Sequence, residues 1–322
     1  MILFVNSAKP QCGVHQYGKT VYHALKKSQL FSLHLIECNT REELVAAIDG
    51  VNPRTVLYNF SPWTLPFIDE KLLRQFPKIA HLCLAHELNQ APHLPFRTHI
   101  LADPTLVEQP PNLFKTGRLL PPYENRHPLP EIPTIGSFGF GYGAKGFDLL
   151  IKQVQKEFDQ AVIRLNIPSN DIIDSTGERA RNIATFCQRL IRKPGITLQV
   201  SHAFLSDADL LDFLAQNSLN AFFYRSLRCT GLSSSTDLAL AVKRPIAVNG
   251  SILFRHLFAI TPPVVVNAVE WKRGLFQRKR KASTLKQILK DGTAPLEPLY
   301  KSWTEEALIA DYERILRTLC LV

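Results

Sequence analysis

I-G-S-F-G-F-G-Y-G-A-K-G-F-D-L-L-I-K, residues 135–152, begins as a strand pattern, breaks into glycines and re-forms as a helix pattern. Gly136, Gly139, Gly141, Gly143 and Gly146 permit tight turns and close approach to a ligand, and Lys145 places a point charge where a helix begins. That is the outline of an anion site, although a glycine-rich surface turn with a solvated lysine accounts for the same residues. A nucleoside triphosphate loop is excluded, because Lys145 follows Ala144 and precedes Gly146 where Gly-Lys-Ser/Thr is required. Gly139, Gly141 and Ala144 fit the dinucleotide spacing, but the next strand pattern, 161–167, carries Asn166 and no carboxylate for a ribose.

The same strand-to-helix alternation runs outward in both directions. Upstream, strands are expected at 1–6, 33–38, 55–60 and 79–85. Short ones follow at 99–102 and 117–120. Helices follow the first strand through Val21 and Leu25, and at 40–48 behind a capping box from Thr40 to Glu43. Downstream, strands are expected at 134–138, 161–167, 196–200, 219–224, 245–248 and 264–267. Helices are expected from Lys145, around 171–191, at 207–215 and near 233–242. A last helix through Leu308, Tyr312, Ile315 and Leu319 opens with Ser302 and Glu305 at capping-box spacing. Alternation of this kind implies parallel sheets. Pro121, Pro122, Pro128, Pro130 and Pro133 crowd a stretch that cannot continue a helix or central strand. The division is therefore a first α/β domain over 1–121, a linker over 122–133, a second α/β domain over 134–300 and a docking helix over 301–322.

Length and composition bound the function. A chain of 322 residues supports about two domains, and 45% hydrophobic with 20% charged residues is ordinary for a globular protein. No run approaches a membrane span and the first residues lack a basic leader, so the expectation is a cytoplasmic protein, peripheral to a membrane at most. Cys12, Cys38, Cys83, Cys187, Cys229 and Cys320 show no paired metal-ligand spacing. The formal net charge of +10 favours an anionic partner: nucleotide, phosphorylated lipid, nucleic acid or acidic membrane. Lys272, Arg273, Arg278, Lys279, Arg280 and Lys281 form a basic cluster that reads as a solvated loop or as a contact for an anionic acceptor or membrane surface. No nucleic-acid module or aromatic-basic interleaving accompanies the charge, which argues against a nucleic-acid partner.

Ligands of parallel sheets bind beyond the carboxyl ends of the strands, so the residues just after each strand are the candidates. They are Gly13 after the first strand and His86 after the fourth. In the second half they are Gly143 and Lys145, Arg225 and Arg228, and Gly231, Ser233, Ser234 and Ser235 leading into a helix. Each has a plainer reading: a buried histidine, a turn glycine, an arginine paired with a local carboxylate, or serines that only cap a helix.

These segments resemble the GT-B glycosyltransferases, particularly the retaining family 4 type. Gln11-Cys12-Gly13-Val14 resembles the N-terminal glycine loop, and His86 the histidine beside the transferred sugar. The 135–152 stretch resembles the start of the donor domain, with Lys145 in the diphosphate-binding place. L-S-D-A-D-L-L-D-F-L-A-Q-N-S-L-N-A-F-F-Y from Leu205 resembles the helix and strand before the donor loop. G-L-S-S-S-T-D-L-A-L-A-V-K-R-P-I-A-V from Gly231 resembles the elements that close around the donor. The resemblance implies two doubly wound Rossmann-like domains facing across a cleft. It also implies a nucleotide-sugar donor, a glycan, lipid-linked or protein hydroxyl acceptor, retention of configuration, and neither metal nor cofactor. The chain departs from the pattern where two glutamates are usual: Thr230 and Leu238 stand at those places, and Ser137 replaces the usual arginine. Asp237, beside Leu238, is the substitute acid for a ribose, although one residue turns a helical side chain by about 100°. The alternatives are a catalytically silent nucleotide-sugar-binding subunit and a sugar-nucleotide epimerase or hydrolase on the same plan.

Overall fold

In the structure, a computed structural model, residues 1–10, 12–87, 94–169, 174–225, 231–266 and 282–322 are described. The chain divides into two compact units. The first comprises 1–119, 229–232 and 302–322, and the second 120–228 and 233–301.

The first unit carries β1 (Ile2–Ser7), α1 (Gly13–Leu25), β2 (Leu33–Cys38), α2 (Arg41–Val51), β3 (Thr55–Phe60), α3 (Glu70–Leu73), β4 (Ala80–Ala85), β5 (Thr98–Leu101) and β6 (Leu113–Lys115). The strands form one parallel sheet in the order β2-β1-β3-β4-β5-β6. Every residue of β1 and β3 is buried, as both faces of a central parallel strand must be. On one face Leu44 and Ile48 of α2 and Leu72 of α3 pack against Leu3, Val5, Val56 and Tyr58. On the other, Val21, Ala24 and Leu25 of α1 join Leu308, Tyr312, Ile315 and Leu316 from the last helix against Ile2, Phe4 and Leu57. Full burial of each valine, leucine, isoleucine or phenylalanine among them contributes about 1.5–3 kcal/mol.

The second unit carries β7 (Thr134–Phe138), α4 (Phe147–Glu157), β8 (Ala161–Asn166), α5 (Glu178–Leu190), β9 (Ile196–Ser201), α6 (Asp207–Ala215), β10 (Leu219–Phe222), α7 (Ser235–Ala241), β11 (Ile246–Val248), α8 (Leu285–Asp291) and α9 (Glu297–Ser302). Its parallel sheet runs β11-β10-β7-β8-β9. Residues of α4, α5 and α8 cover one face, while α6 and α7 pack together through Leu211, Leu214, Ala241 and Val242. The final helix, α10 (Glu305–Thr318), belongs to the first unit, where Asp311 accepts from the Gly117 amide at 2.7 Å and Glu305 pairs with Lys27 at 2.7 Å. Among the described residues no helix is long and apolar enough to cross a membrane.

The two doubly wound sheets agree with the sequence reading, and the capping box of α2 forms as expected between Thr40 and Glu43. Several boundaries differ. The expected strand at 117–120 is absent: Thr116 N turns back to Leu101 O, Gly117 N goes to Asp311, and β6 lies earlier. The helix expected from Lys145 is a 3-10 turn over Gly143–Lys145 that ends at Gly146, and α4 begins after it. The helix expected around 171–191 starts at Glu178, because the Asp174 carboxylate takes the amides of Arg179 and Ala180 and holds the chain there. At the last helix Thr304, not Ser302, caps α10 by accepting from Ala307 N. Around 264–267 the described residues make only isolated bridges, Val248 to Val265 and Val266 to Ser283.

Gly146 is the residue on which the second unit's first crossover turns. Its φ of 60° lies in the left-handed region, and a Cβ there would come 1.8 Å from the Phe223 carbonyl oxygen at the end of β10. Gly146→Ala is therefore expected to lower unfolding free energy by at least about 2 kcal/mol. Gly143→Ala, where a Cβ meets nothing within 4 Å, should stay within about 0.5 kcal/mol of wild type. Urea titration of both variants checks the contrast, and equal losses would contradict it.

Candidate functional sites

In each sheet the strand order reverses direction at one place, and there the crossover connections diverge and leave the strand ends uncovered. In the second unit that place is between β7 and β10. Lys145 follows β7 and Tyr224 and Arg225 follow β10, so the topology alone brings them together. Lys145 Nζ donates to Tyr224 Oη at 2.7 Å and lies 4.2 Å from the centre of its ring. Ser235 Oγ is 2.9 Å from the same oxygen and Ser233 Oγ donates to it at 3.4 Å. Burial acts to raise the Tyr224 phenol, but the Lys145 charge and the hydrogen bonds from Lys145, Ser233 and Ser235 outweigh it and leave it below its ordinary value. Sequence reasoning gave Tyr224 no role. Its position as the last residue of an apolar strand pattern hid a hydroxyl that gathers three predicted site residues.

The other predicted residues divide. Arg225 makes two short bonds from one guanidinium nitrogen to Asp148, at 2.8 and 2.6 Å, so a carboxylate on α4 neutralises its charge. Its amide donates to Ala144 O at 2.8 Å and its guanidinium to Gly143 O, so it ties down the turn that carries Lys145. Ser234 is exposed and stands at the N-cap of α7 without a capping side-chain bond. The hydroxyls of its two neighbours go to Tyr224, so the serine run does more than cap. Asp237 is buried within α7. Gly231 is buried and grouped with the first unit, where a Cβ would come 2.5 Å from the His86 carbonyl oxygen. Arg228, Thr230, Gln11 and Cys229, and the basic cluster over 272–281, lie outside the described residues. A groove of about 430 Å³ lies between α6 and the β8–β9 edge, lined by Arg164, Gln199, Asp209 and Phe213, and no predicted site residue lines it.

In the first unit the reversal falls between β1 and β3. Asn6 near the end of β1 and Asn59 near the end of β3 are both fully buried, and Asn59 Nδ2 donates to Asn6 Oδ1 at 2.8 Å. Each amide also reaches the first turn of α1: Asn59 Nδ2 to Val14 O at 2.7 Å, and Asn6 Nδ2 to His15 O at 3.1 Å. His86, one residue past β4, completes the chain through Nε2, 2.8 Å from Asn59 Oδ1. Gly18 faces the two asparagines so closely that a Cβ would sit 2.3 Å from Asn59 Nδ2, which explains a glycine inside a helix. Gly13 opens α1 with nothing among the described residues within 4 Å of a Cβ, so their packing does not require glycine there. Among the described residues no three His, Cys, Asp or Glu side chains are placed to hold a metal ion.

His86 is partly buried, and burial, reinforced by Arg118, pushes its imidazole from 6.5 down to about 4. Because the folded state resists protonation while the unfolded state accepts a proton below 6.5, stability should fall as pH drops from 6.5 towards 4. The whole contribution is on the order of 3 kcal/mol. Burial also lowers His81 and His99, so the test is a difference. His86→Gln should lose less stability than wild type between pH 7 and pH 4.5 in denaturant titrations, and parallel losses would refute the assignment.

No family model matches the sequence, and no curated protein matches it by sequence. Solved structures do match over nearly the whole chain. HepE of Anabaena, solved with UDP and glucose, is 9% identical, with 100% of this chain and 99% of that chain covered and a TM-score of 0.59. AviGT4, a glycosyltransferase involved in avilamycin A biosynthesis, is 12% identical over 99% of this chain and 97% of its own, with a TM-score of 0.60. The N-terminal domain of Candida albicans trehalose-6-phosphate phosphatase is 9% identical over 98% and 96%, with a TM-score of 0.62. Two parallel doubly wound sheets, in a chain aligned end to end with such structures, give this protein the GT-B fold.

Proposed function

We propose that this protein is a glycosyltransferase that moves a sugar from a nucleotide-sugar donor to a hydroxyl acceptor on a glycan, lipid-linked sugar or protein. The observation that carries the reading is the Lys145 ammonium. It stands at the reversal point of the second sheet with one of its three N–H groups on Tyr224 and no carboxylate paired to it among the described residues. A cation held in that way by a neutral partner is suited to an anion. As the bond between sugar and diphosphate breaks, negative charge grows on the departing diphosphate, and a fixed ammonium, held on the Tyr224 oxygen that Ser233 and Ser235 also meet, stabilises it. Phe140 and Phe204, stacked with centroids 6.5 Å apart beyond β7 and β9, offer a partly exposed aromatic surface for a nucleobase. HepE, of like fold, has also been solved with UDP-glucose, which places uridine diphosphate sugars first among donors to try.

In this reading Gly13 and Gly143, each with no described atom within 4 Å of where a Cβ would stand, let the ligand approach the backbone. His86 addresses the sugar, and the reaction proceeds with retention and without metal, the donor phosphate helping to deprotonate the acceptor. A second reading, a nucleotide-sugar-binding unit without turnover, is favoured by Leu238, an apolar residue where the resemblance implies a glutamate.

A nucleotide-sugar panel read by thermal shift tests the proposal. A donor at about 100 times its Kd should stabilise the protein by about 2.7 kcal/mol, and no response to any nucleotide sugar would overturn it. Stabilisation without transfer to any acceptor supports the second reading. Lys145→Met then separates packing from charge: the stem that lies against Tyr224 and Gly139 is kept and the ammonium removed. Turnover should fall more than donor affinity, because the charge is needed most after bond breaking begins. Because Lys145 packs over Tyr224 and is not the freely exposed lysine a surface turn would carry, Lys145→Ala should also lower stability, by about 1 kcal/mol.

A further inference from the structure

We infer that Asn59 is a positioning residue for His86, holding its proton on Nε2 and leaving the Nδ1 lone pair open to accept a hydrogen bond from a ligand hydroxyl. The inference rests on the proposed role of His86 at the sugar, and goes beyond it by fixing which partner the imidazole can take.

The Val14 and His15 carbonyl oxygens can only accept. They therefore fix the amide orientation of both asparagines: Nδ2 of Asn59 faces Val14 O, and Nδ2 of Asn6 faces His15 O. With Asn6 so turned, its Oδ1 accepts the second proton of Asn59 Nδ2. Both Asn59 protons are then engaged, and the only atom it can offer His86 is Oδ1, an acceptor. The 2.8 Å contact is a hydrogen bond only if Nε2 carries the proton. Nδ1 has no partner among the described residues.

The surroundings support a single neutral form. The Tyr17 ring of α1 stands edge-on to the imidazole with centroids 5.5 Å apart, Arg118 contributes positive charge, and no carboxylate pairs with His86 among the described residues. Nothing on these elements favours an imidazolium. A neutral imidazole with Nδ1 bare accepts from a hydroxyl and gives nothing back, so it selects a ligand group that donates. Asn6 and Asn59 are fully buried and Gly18 makes room for them, so the relay is built into the helix packing.

The test uses the intact protein with 15N-labelled histidine. In ligand-free wild type near pH 7, His86 should show a protonated Nε2 and an unprotonated Nδ1. A dominant Nδ1–H form, or equal exchange between the two, would overturn the inference with no variant needed. Asn59→Ala removes the acceptor and should mix the tautomers, and Asn59→Asp places a carboxylate there and should move the His86 midpoint from about 4 to above 6.5. An unchanged tautomer in the first or an unchanged midpoint in the second overturns it. Once a donor is identified, Asn59→Ala should lower turnover by about 10²-fold with donor affinity less affected. Wild-type turnover in a variant with mixed tautomers would overturn the positioning role. Failure of every nucleotide sugar to bind would instead sink the transfer reading, and the ligand-free spectra would still decide the tautomer.

Discussion

A parallel sheet buried on both faces must send its crossovers to both sides, and where the direction changes the strand ends are left open. That constraint governs both halves of this protein. Between β7 and β10 it assembles Lys145, Tyr224 and the serines of the 231–235 loop. Between β1 and β3 it assembles the two asparagines and the start of α1, with His86 arriving from the adjacent β4. Neither cluster comes from a contiguous motif. Each is the meeting of strand ends that lie far apart in the chain and close together in the sheet.

The two clusters solve opposite electrostatic problems. In the second unit a charged ammonium rests on a neutral phenol, whose oxygen two serine hydroxyls also meet, and no carboxylate pairs with it among the described residues. Arg225, by contrast, is neutralised by Asp148 and serves the backbone of the same turn. In the first unit a titratable ring is kept neutral by burial, and its proton is assigned by a chain of amides anchored on helix carbonyls.

The glycines show the same division between structure and chemistry. Gly146 and Gly18 are explained by the protein itself, since any side chain would strike Phe223 O in one case and Asn59 in the other. Gly13 and Gly143 are not, since a Cβ at either would meet nothing within 4 Å among the described residues. A glycine-rich run in a sequence therefore mixes residues demanded by packing with residues that packing does not demand, and only the neighbours in space separate them.

The sequence by itself determined the two doubly wound sheets. Apolar strand runs alternating with amphipathic helices admit few other solutions, and the Thr40 to Glu43 cap was legible because both partners lie within one helical turn. It also marked Lys145, Ser233 and Ser235, because strand-end loops near glycines are where ligands meet such sheets. What only the tertiary structure decided was pairing across the sheet. That Arg225 meets Asp148, that Lys145 lies on Tyr224, and that Asn6 and Asn59 govern His86 follow from strand order. Strand boundaries such as β6, and the Thr304 cap, were settled by bonds to distant or competing partners. Local patterns fix which elements form because their energies are local. Hydrogen-bond partners separated by tens of residues carry no local signal, and are chosen only when the sheet brings their strand ends together.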